Sequence, residues 1–209
     1  MKRCLSVTVL ALLTVVPLIA QAPKGWRLRV DRSTTASDPD AAGAIKFTAS
    51  GSGFHAVNPQ AAVYWNPANT VAGAYSLKGT FTLMKPSGHT NYYGLVFGGS
   101  DLEGPKQAYL YFLVAQDGTW LVKRRDGEAT QDVLPKTPSD AVKKPDASGQ
   151  STNALEVRVL ADKIEFVVNG TVVSTTPKTG QAAKTDGIYG IRSNHLLDVQ
   201  VDGLAMTKK

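Results

Sequence analysis

Cysteine is nearly absent from this 209-residue chain, which contains only Cys4. Residues 1–22 have the pattern of a signal peptide, so their removal leaves a mature chain without cysteine. This absence excludes a disulfide, a thiolate metal site and a cysteine nucleophile from the mature protein. We therefore expect packing alone to hold the fold together.

The N-terminal segment is the one long apolar run in the sequence. Lys2 and Arg3 form a basic region, and residues 5–19 are largely apolar. An A-x-A cleavage site ends at Ala22, before Pro23. No later run approaches the length that a membrane-spanning helix needs. We expect export to the periplasm or the extracellular space after cleavage near Ala22, and no membrane span.

A strong charge bias is also missing. The net charge of the whole chain is +6, and the predicted cleavage removes two basic residues and no acidic ones. The densest basic cluster, residues 123–125, is too short to imply a nucleic-acid partner. Residues 23–209 are enough for one domain with a sizeable core.

Helical periodicity is rare, whereas alternation of apolar and polar residues between turn signals recurs along the chain. Predicted strands span residues 26–31, 45–50, 54–58, 61–66, 75–84, 92–98, 109–115, 119–125, 155–160, 163–168, 171–176, 187–193 and 196–206. Segments 33–44 and 134–152 are predicted to be irregular loops. So many short strands favour an all-β fold, either a two-sheet antiparallel sandwich or a closed barrel.

The dipeptide Asn169-Gly170 predicts the register of one hairpin. Both residue types tolerate the positive φ of a type I′ turn, so Val168 should face Thr171. In the preceding hairpin, a turn at residues 161–162 would place Arg158 opposite Glu165. This arrangement gives Glu165 a structural role as the partner in a cross-strand ion pair.

The dipeptide Asp117-Gly118 is interpreted as a second two-residue turn, which pairs Ala115 with Trp120 and Tyr111 with Arg124. This register places one set of side chains on a common face: Tyr109, Tyr111, Leu113, Trp120, Val122 and Arg124. Both faces of the hairpin are largely apolar. We therefore expect one face to meet an opposing sheet and the other to lie under a loop or line a groove.

Four segments resemble the concanavalin A-like lectin/glucanase superfamily. They are YYGLVFGG (92–99), YLYFLVAQDGTWLVKRRDG (109–127), NALEVRVLADKIEFVVNGTVV (153–173) and DGIYGIR with LLDVQVDGL (186–204). The resemblance covers roughly residues 65–206 and is nearest to 3-keto-disaccharide hydrolase-like domains and laminin G-like modules. It implies a jelly roll of two large antiparallel sheets, one of them concave. Members act as lectins, glycan-binding modules, glycoside hydrolases or adhesion domains, with ligand on the concave face or its rim.

No catalytic motif accompanies this resemblance, so no catalytic residue is predicted. The glucanase members carry E-x-D-x-x-E on one strand, which this sequence lacks. Glycoside hydrolysis needs two closely spaced carboxylates. Only two glutamates have a second carboxylate two residues away. These pairs are Asp101 with Glu103 and Asp126 with Glu128, and both fall in predicted loops or turns. Neither G-x-S-x-G nor another nucleophile elbow is present.

Metal motifs are equally scarce. His55, His89 and His195 have no H-x-H or H-E-x-x-H spacing, so scattered surface histidines are expected rather than a three-histidine site. The one metal hypothesis is Ca²⁺, bound by loop oxygens that include Asp101 and Glu103. A solvated acidic loop is the alternative interpretation of this segment.

Aromatic and polar side chains supply the candidate ligand-binding surface, because sugar rings stack on aromatic rings while their hydroxyls meet polar groups. The candidates are Trp65, His89, Asn91, Tyr109, Tyr111, Trp120 and Arg124. Packing in the core is the alternative for each large aromatic. An open groove lined by Tyr111, Trp120 and Arg124 would favour binding, whereas their burial would favour a structural role.

The resulting hypothesis is an exported, non-catalytic carbohydrate- or glycan-binding module. A glycoside or 3-keto-glycoside hydrolase of the same fold is one alternative, and it predicts that Asp101 or Glu103 approaches His89. A structural or adhesion domain of the cell envelope is the other alternative.

Overall fold

The computed structural model describes residues 22–33 and 36–209, so the predicted signal peptide lies outside the described residues apart from Ala22. Within the described residues, fourteen β-strands form two sheets of seven strands each. The predicted all-β fold, a two-sheet antiparallel jelly-roll sandwich, is confirmed. No helix in this part of the chain has the length and apolar character needed to cross a membrane.

The strands are, in chain order, β1 (Arg27–Asp31), β2 (Lys46–Ser50), β3 (Gly53–Asn58), β4 (Ala61–Val71), β5 (Tyr75–Lys85), β6 (Tyr92–Ser100), β7 (Ala108–Ala115), β8 (Thr119–Asp126), β9 (Ala129–Pro138), β10 (Ser151–Val159), β11 (Lys163–Val168), β12 (Thr171–Pro177), β13 (Gly187–Ser193) and β14 (Leu197–Lys208). A short 3-10 helix spans Gly180–Ala182.

We call the two layers the front sheet, with strand order β1-β4-β13-β6-β7-β8-β9, and the back sheet, with order β12-β11-β10-β5-β14-β3-β2. Alternate side chains of facing strands fill the space between the sheets. Tyr64, Phe97 and Phe112 come from the front sheet, and Leu77 and Phe166 from the back sheet. Fully burying one such side chain contributes about 1.5–3 kcal/mol, which explains how a chain without disulfides stays folded.

Strand β9 was missed by the sequence analysis, which places a loop from residue 134 onward. Pro135 and Pro138 lie in this strand, and β9 forms one edge of the front sheet. A proline removes one N–H donor, which an edge strand tolerates because its outer side has no partner strand. The two prolines therefore mark an edge strand of the sheet rather than the end of a strand.

The predicted Asn169-Gly170 turn is confirmed. Asn169 and Gly170 have φ angles of 49° and 85°, and Val168 faces Thr171. Positive φ at both turn residues is the property that defines a type I′ turn. In the neighbouring hairpin Arg158 faces Glu165, and their charged groups are 3.7 Å apart, as expected.

The register predicted for the Asp117 hairpin is wrong by one residue. The amide of Gly118 donates to the carbonyl of Ala115 over 3.1 Å, and Gly118 has a φ of 85°. Three residues therefore form the loop, as in a type I turn followed by a left-handed glycine. Val114 consequently faces Trp120. Because side chains alternate between faces, this slip moves every residue of β8 to the opposite face.

The corrected register gives each face of the front sheet its own apolar cluster. The outer face carries a second cluster beside the main core: Val63, Trp65, Val96, Leu102, Tyr109, Tyr111, Leu113 and Leu121. The loop between β6 and β7 contributes Leu102 to this cluster. Arg29 donates to the carbonyl of Gly104 over 2.7 Å, and Arg27 pairs with Glu103, so β1 is tied to this loop. One face thus meets the back sheet and the other lies partly under a loop, as expected.

Candidate functional site

The outer face of the front sheet remains open beside the start of β6 and the end of β13. Two cavities of about 240 and 290 Å³ adjoin there. They share the residues Asp38, Asn91, Arg192 and Asn194. We call this combined space the front cleft.

Aromatic and aliphatic side chains form the floor of the front cleft. Tyr92, Tyr111, Leu113 and Leu121 line its larger cavity, with Lys123 beside them. Tyr111 and Leu121 are largely buried, so each offers one ring or chain surface rather than a freely exposed side chain. A cleft with apolar walls and a few placed polar groups is typical of small-molecule and sugar sites.

Arg192 is the central charged group of the cleft. It forms a salt bridge with Asp31 at the end of β1 and donates to the hydroxyl of Tyr109 over 2.9 Å. Its guanidinium carbon lies 5.3 Å from the centre of the Tyr111 ring, within range of a cation–π interaction. The Tyr109 hydroxyl in turn donates to Asp31 over 3.2 Å. This network holds Arg192 in one orientation.

The electrostatics of this network follow from its burial. Burial by itself would raise the pKa of Asp31, but the Arg192 charge and its hydrogen bond hold that pKa below the ordinary value. Burial likewise opposes the charge of Arg192, yet Tyr109 and Asp31 raise the pKa of the guanidinium. Burial raises the pKa of Tyr109, which therefore stays neutral. The floor thus carries a fixed ion pair and a neutral phenol.

Loops from three distant parts of the chain form the rim. Residues 36–44 supply Asp38 and Asp40, the loop after β5 supplies His89 and Asn91, and the turn after β13 supplies His195. Local hydrogen bonds position these loops. The Gln116 amide donates to the carbonyls of Ser87 and His89 over 2.9 and 3.1 Å. The Ser33 hydroxyl donates to the carbonyl of Asp38 over 2.6 Å.

These loops bring Asp38, His89 and His195 together at the rim. The Oδ1 atom of Asp38 lies 2.8 Å from Nε2 of His89 and 3.1 Å from Nε2 of His195. The two Nε2 atoms are 3.1 Å apart. Nδ1 of His195 lies 3.0 Å from Oδ1 of Asp40. In the part of the chain that the structure describes, this is the one group of three or more such residues able to hold a metal ion together.

The structure corrects the expectation that the histidines are scattered on the surface. His195 is buried, with a side chain 6% exposed, and its ring meets that of His89 edge to face. His55 does remain apart, because it pairs with Asp198 on the back sheet at 2.6 Å. Sequence spacing could not reveal the cluster, since its two histidines are 106 residues apart.

Three of the predicted ligand-binding residues reach the front cleft. Asn91 and Tyr111 line it, and His89 stands at its rim. Tyr109 contributes through its hydroxyl, because its ring is fully buried in the outer apolar cluster. Trp65 lies buried in the same cluster, where it packs rather than presenting a stacking surface.

Trp120 and Arg124 lie elsewhere, contrary to the predicted groove. Trp120 packs in the core between the sheets, with its ring centre 6.2 Å from that of Phe112. Arg124 lies opposite Leu110 and lines a separate cavity of about 510 Å³ at the other end of β6. The predicted pairing of Tyr111 with Arg124 is therefore wrong, and the guanidinium over Tyr111 belongs to Arg192.

An open groove lined by Tyr111, Trp120 and Arg124 together is therefore not present. Tyr111 lines the front cleft, whereas Trp120 and Arg124 are buried away from it. Several cleft residues were not predicted from the sequence: Asp31, Asp38, Asp40, Lys123, Arg192, Asn194 and His195. The available signal was weak. Asp38 and Asp40 flank a proline in a segment interpreted as an irregular loop, and Arg192 lies one residue before the end of a strand interpreted as scaffold.

Asp101 and Glu103, the predicted calcium ligands, have different partners. The Asp101 carboxylate accepts a hydrogen bond from the amide of Lys106 over 3.0 Å, while Glu103 pairs with Arg27. Among the described residues, neither belongs to the cluster of converging ligands at the rim. These contacts explain both acids as parts of the loop that covers the outer face.

No protein-family model and no curated protein matches this chain. Solved structures do resemble its fold. The carbohydrate binding module CBM66 from Bacillus subtilis matches with a TM-score of 0.63 at 8% identity, over 88% of this chain and 96% of that one. The GH16 protein of the Bacteroides ovatus mixed linkage glucan PUL matches with a TM-score of 0.59 at 8% identity, over 87% and 94%.

A further Bacillus subtilis protein, described as having a galectin-like fold and unknown function, matches with a TM-score of 0.57 at 15% identity. That match covers 88% of this chain and 90% of the other. At such identities the likeness concerns the fold alone. It agrees with the two-sheet jelly-roll fold expected from the sequence.

Proposed function

We propose that this protein is an exported module that binds a carbohydrate non-covalently in the front cleft. The observation that carries the proposal is the pairing of an apolar, aromatic floor with a fixed guanidinium over Tyr111. A sugar ring presents apolar C–H faces and polar hydroxyls, and it needs both kinds of surface at once. The cleft offers both within one opening.

Preorganisation supports this proposal. Arg192 is held by Asp31 and Tyr109 before any ligand arrives, so its ordering costs little on binding. Asn194 accepts a hydrogen bond from Nε of Arg192 over 3.3 Å and also borders both cavities. Lys123 adds a further donor at the edge, where it pairs with Asp132 over 3.1 Å. The similar fold of a carbohydrate binding module adds support at the level of architecture.

The test is a glycan-array survey followed by calorimetry with the best soluble glycan. Replacing Lys123 with alanine should weaken binding about tenfold, which corresponds to about 1.4 kcal/mol. Lys163→Ala is the matched control, because Lys163 also pairs with an acid but lies on the back sheet. Retention on no polysaccharide, or equal weakening by both substitutions, would refute the proposal.

Export is a separate part of the proposal. It rests on the basic, apolar and A-x-A pattern of residues 1–22. N-terminal sequencing of the protein recovered from its native compartment should give Pro23 as the first residue. Recovery of the protein in the cytoplasm with Met1 or Lys2 at its N-terminus would contradict export.

A hydrolase of the same fold is the second candidate, favoured by the convergence of two histidines and an acid at the rim. The acids that approach His89 are not Asp101 or Glu103, which the hydrolase hypothesis named, but include Asp38. Incubating the protein with any glycan it binds and measuring new reducing ends by mass spectrometry separates the candidates. A non-catalytic module releases no product at any pH.

A further inference from the structure

We propose that Asp38, His89 and His195 form a binding site for a divalent first-row transition-metal ion at the rim of the front cleft. The site requires no glycan, so it stands apart from the proposed carbohydrate binding. Its donors are two imidazole nitrogens and one carboxylate oxygen, a set that zinc and its neighbours in the first row bind well.

The donor atoms of this cluster lie close enough together to bind one ion. Oδ1 of Asp38 and Nε2 of each histidine form a triangle with sides of 2.8, 3.1 and 3.1 Å. An ionised carboxylate supplies no proton and each Nε2 supplies at most one, so at least one side of the triangle is not a hydrogen bond. The amide nitrogen of Asn91 is a further neighbour, 3.1 Å from Nε2 of His89. A cation at the centre of the triangle would be bound by all three donor atoms.

The second partner of His195 prepares its Nε2 atom for a metal. An ionised carboxylate only accepts hydrogen bonds, so the 3.0 Å contact with Asp40 places a proton on Nδ1 of His195. A metal bound at Nε2 would leave this proton in place, so the same ring can hold the ion and donate to Asp40. Asp40 is itself held, because it accepts the Ser33 amide over 2.8 Å. A carboxylate behind a ligating histidine is the usual outer partner in protein metal sites.

The spacing of the donors fits an ion of this class. With metal–ligand bonds of about 2.05 Å and donors about 3 Å apart, the angles at the ion would be about 94°. Such angles suit three ligands on one side of the ion, with the opposite side free. Calcium and magnesium prefer oxygen ligands throughout, so two imidazoles argue against them.

The free side of the ion would open toward the cleft. Asp38 borders both cavities, and the side chains of Asp38 and His89 are 47% and 44% exposed. His195 instead forms the buried wall of the site. A metal here would keep positions for water or for oxygen atoms of a molecule in the cleft, as catalytic rather than purely structural zinc sites do.

The test is calorimetric titration of the untagged, chelator-treated protein with Zn²⁺ alone. We expect one ion per chain, with a dissociation constant in the micromolar range or tighter. His89→Ala should weaken binding at least 100-fold, whereas His55→Ala should leave it unchanged, because His55 lies on the back sheet with Asp198. His89 is the preferred position for substitution since its side chain is partly exposed, and circular dichroism confirms that each variant folds.

Asp40→Asn provides a second measurement for the positioning role of Asp40. This substitution should weaken Zn²⁺ binding about 10- to 100-fold without removing the site. Co²⁺ bound by the unsubstituted protein should give visible absorption that His89→Ala abolishes. Failure of the unsubstituted protein to bind Zn²⁺, or equal losses in His89→Ala and His55→Ala, would overturn the proposal. Because no glycan is present, failure of carbohydrate binding would not change these results.

Discussion

Replacing Arg192 with methionine should cause one of the largest stability losses available on the front sheet. The substitution leaves the Asp31 carboxylate, whose side chain is 8% exposed, without its main partner. Breaking a buried ion pair from one side costs about 3–5 kcal/mol. Arg29 remains near Asp31, with its Nε 3.9 Å from Oδ1, so we expect a loss near the lower limit. For a chain of this size that corresponds to about 6–12 °C in Tm.

The pH dependence gives this prediction a second signature. The pKa of Asp31 is lowered in the folded protein, so its stabilising contribution is fully present above the ordinary aspartate pKa. That contribution is lost as the pH falls through the lowered folded value. In Arg192→Met the buried carboxyl has lost the cation that lowered its pKa, so acidification should reduce the difference in stability between the two proteins.

Urea unfolding, followed by the fluorescence of the buried Trp65 and Trp120, measures these differences at neutral and acidic pH. The double variant Asp31→Asn with Arg192→Met should be more stable than the sum of the single losses implies, by at least about 1 kcal/mol. Arg158→Met is the control, because its partly exposed pair on the back sheet is worth less than about 1 kcal/mol. Additive losses within about 0.5 kcal/mol would refute the inferred network.

Three further substitutions test the fold. A Cβ at Gly190 would lie 2.1 Å from the carbonyl oxygen of Tyr64, so Gly190→Ala should separate β4 from β13 and abolish soluble expression, whereas unchanged urea unfolding would contradict the strand pairing. Gly170→Ala meets open space and should cost only the left-handed backbone penalty of about 1–2 kcal/mol in the same assay. Asp117→Ala removes hydrogen bonds from the amide and hydroxyl of Thr119 and should cost about 1 kcal/mol; a stabilised variant would count against the corrected turn.

The two β-turn dipeptides show how far local sequence determines this fold. Asn169-Gly170 gave the correct register because both residues adopt the positive φ of a two-residue turn. Asp117-Gly118 carries the same kind of signal, yet only Gly118 has positive φ and the loop has three residues. Dipeptide composition does not distinguish these lengths. The resulting one-residue error exchanged the faces of β8 and placed Trp120 and Arg124 in the wrong environment.

The candidate site depended still more on tertiary structure. His89, Asn91 and Tyr111 were identified because aromatic and polar residue types are suited to sugar binding. Arg192 was not identified, because a cation near the end of an apolar strand gives no sign that Asp31, 161 residues away, will be its partner. The separation between Asp40 and His195 is 155 residues. Contacts between residues so far apart along the chain leave no local pattern in the sequence.

The sequence by itself determined the β-rich architecture and the Asn169-Gly170 hairpin. It also predicts a signal peptide at the N-terminus. These depend on backbone preferences and on alternation along a few neighbouring residues, which a single chain segment contains. Tertiary structure alone decided which face of β8 meets the back sheet, which cation stands over Tyr111, and that two histidines meet Asp38. The physical reason is that packing of two sheets selects the faces, and loop closure at one end of the sandwich brings distant side chains within bonding distance.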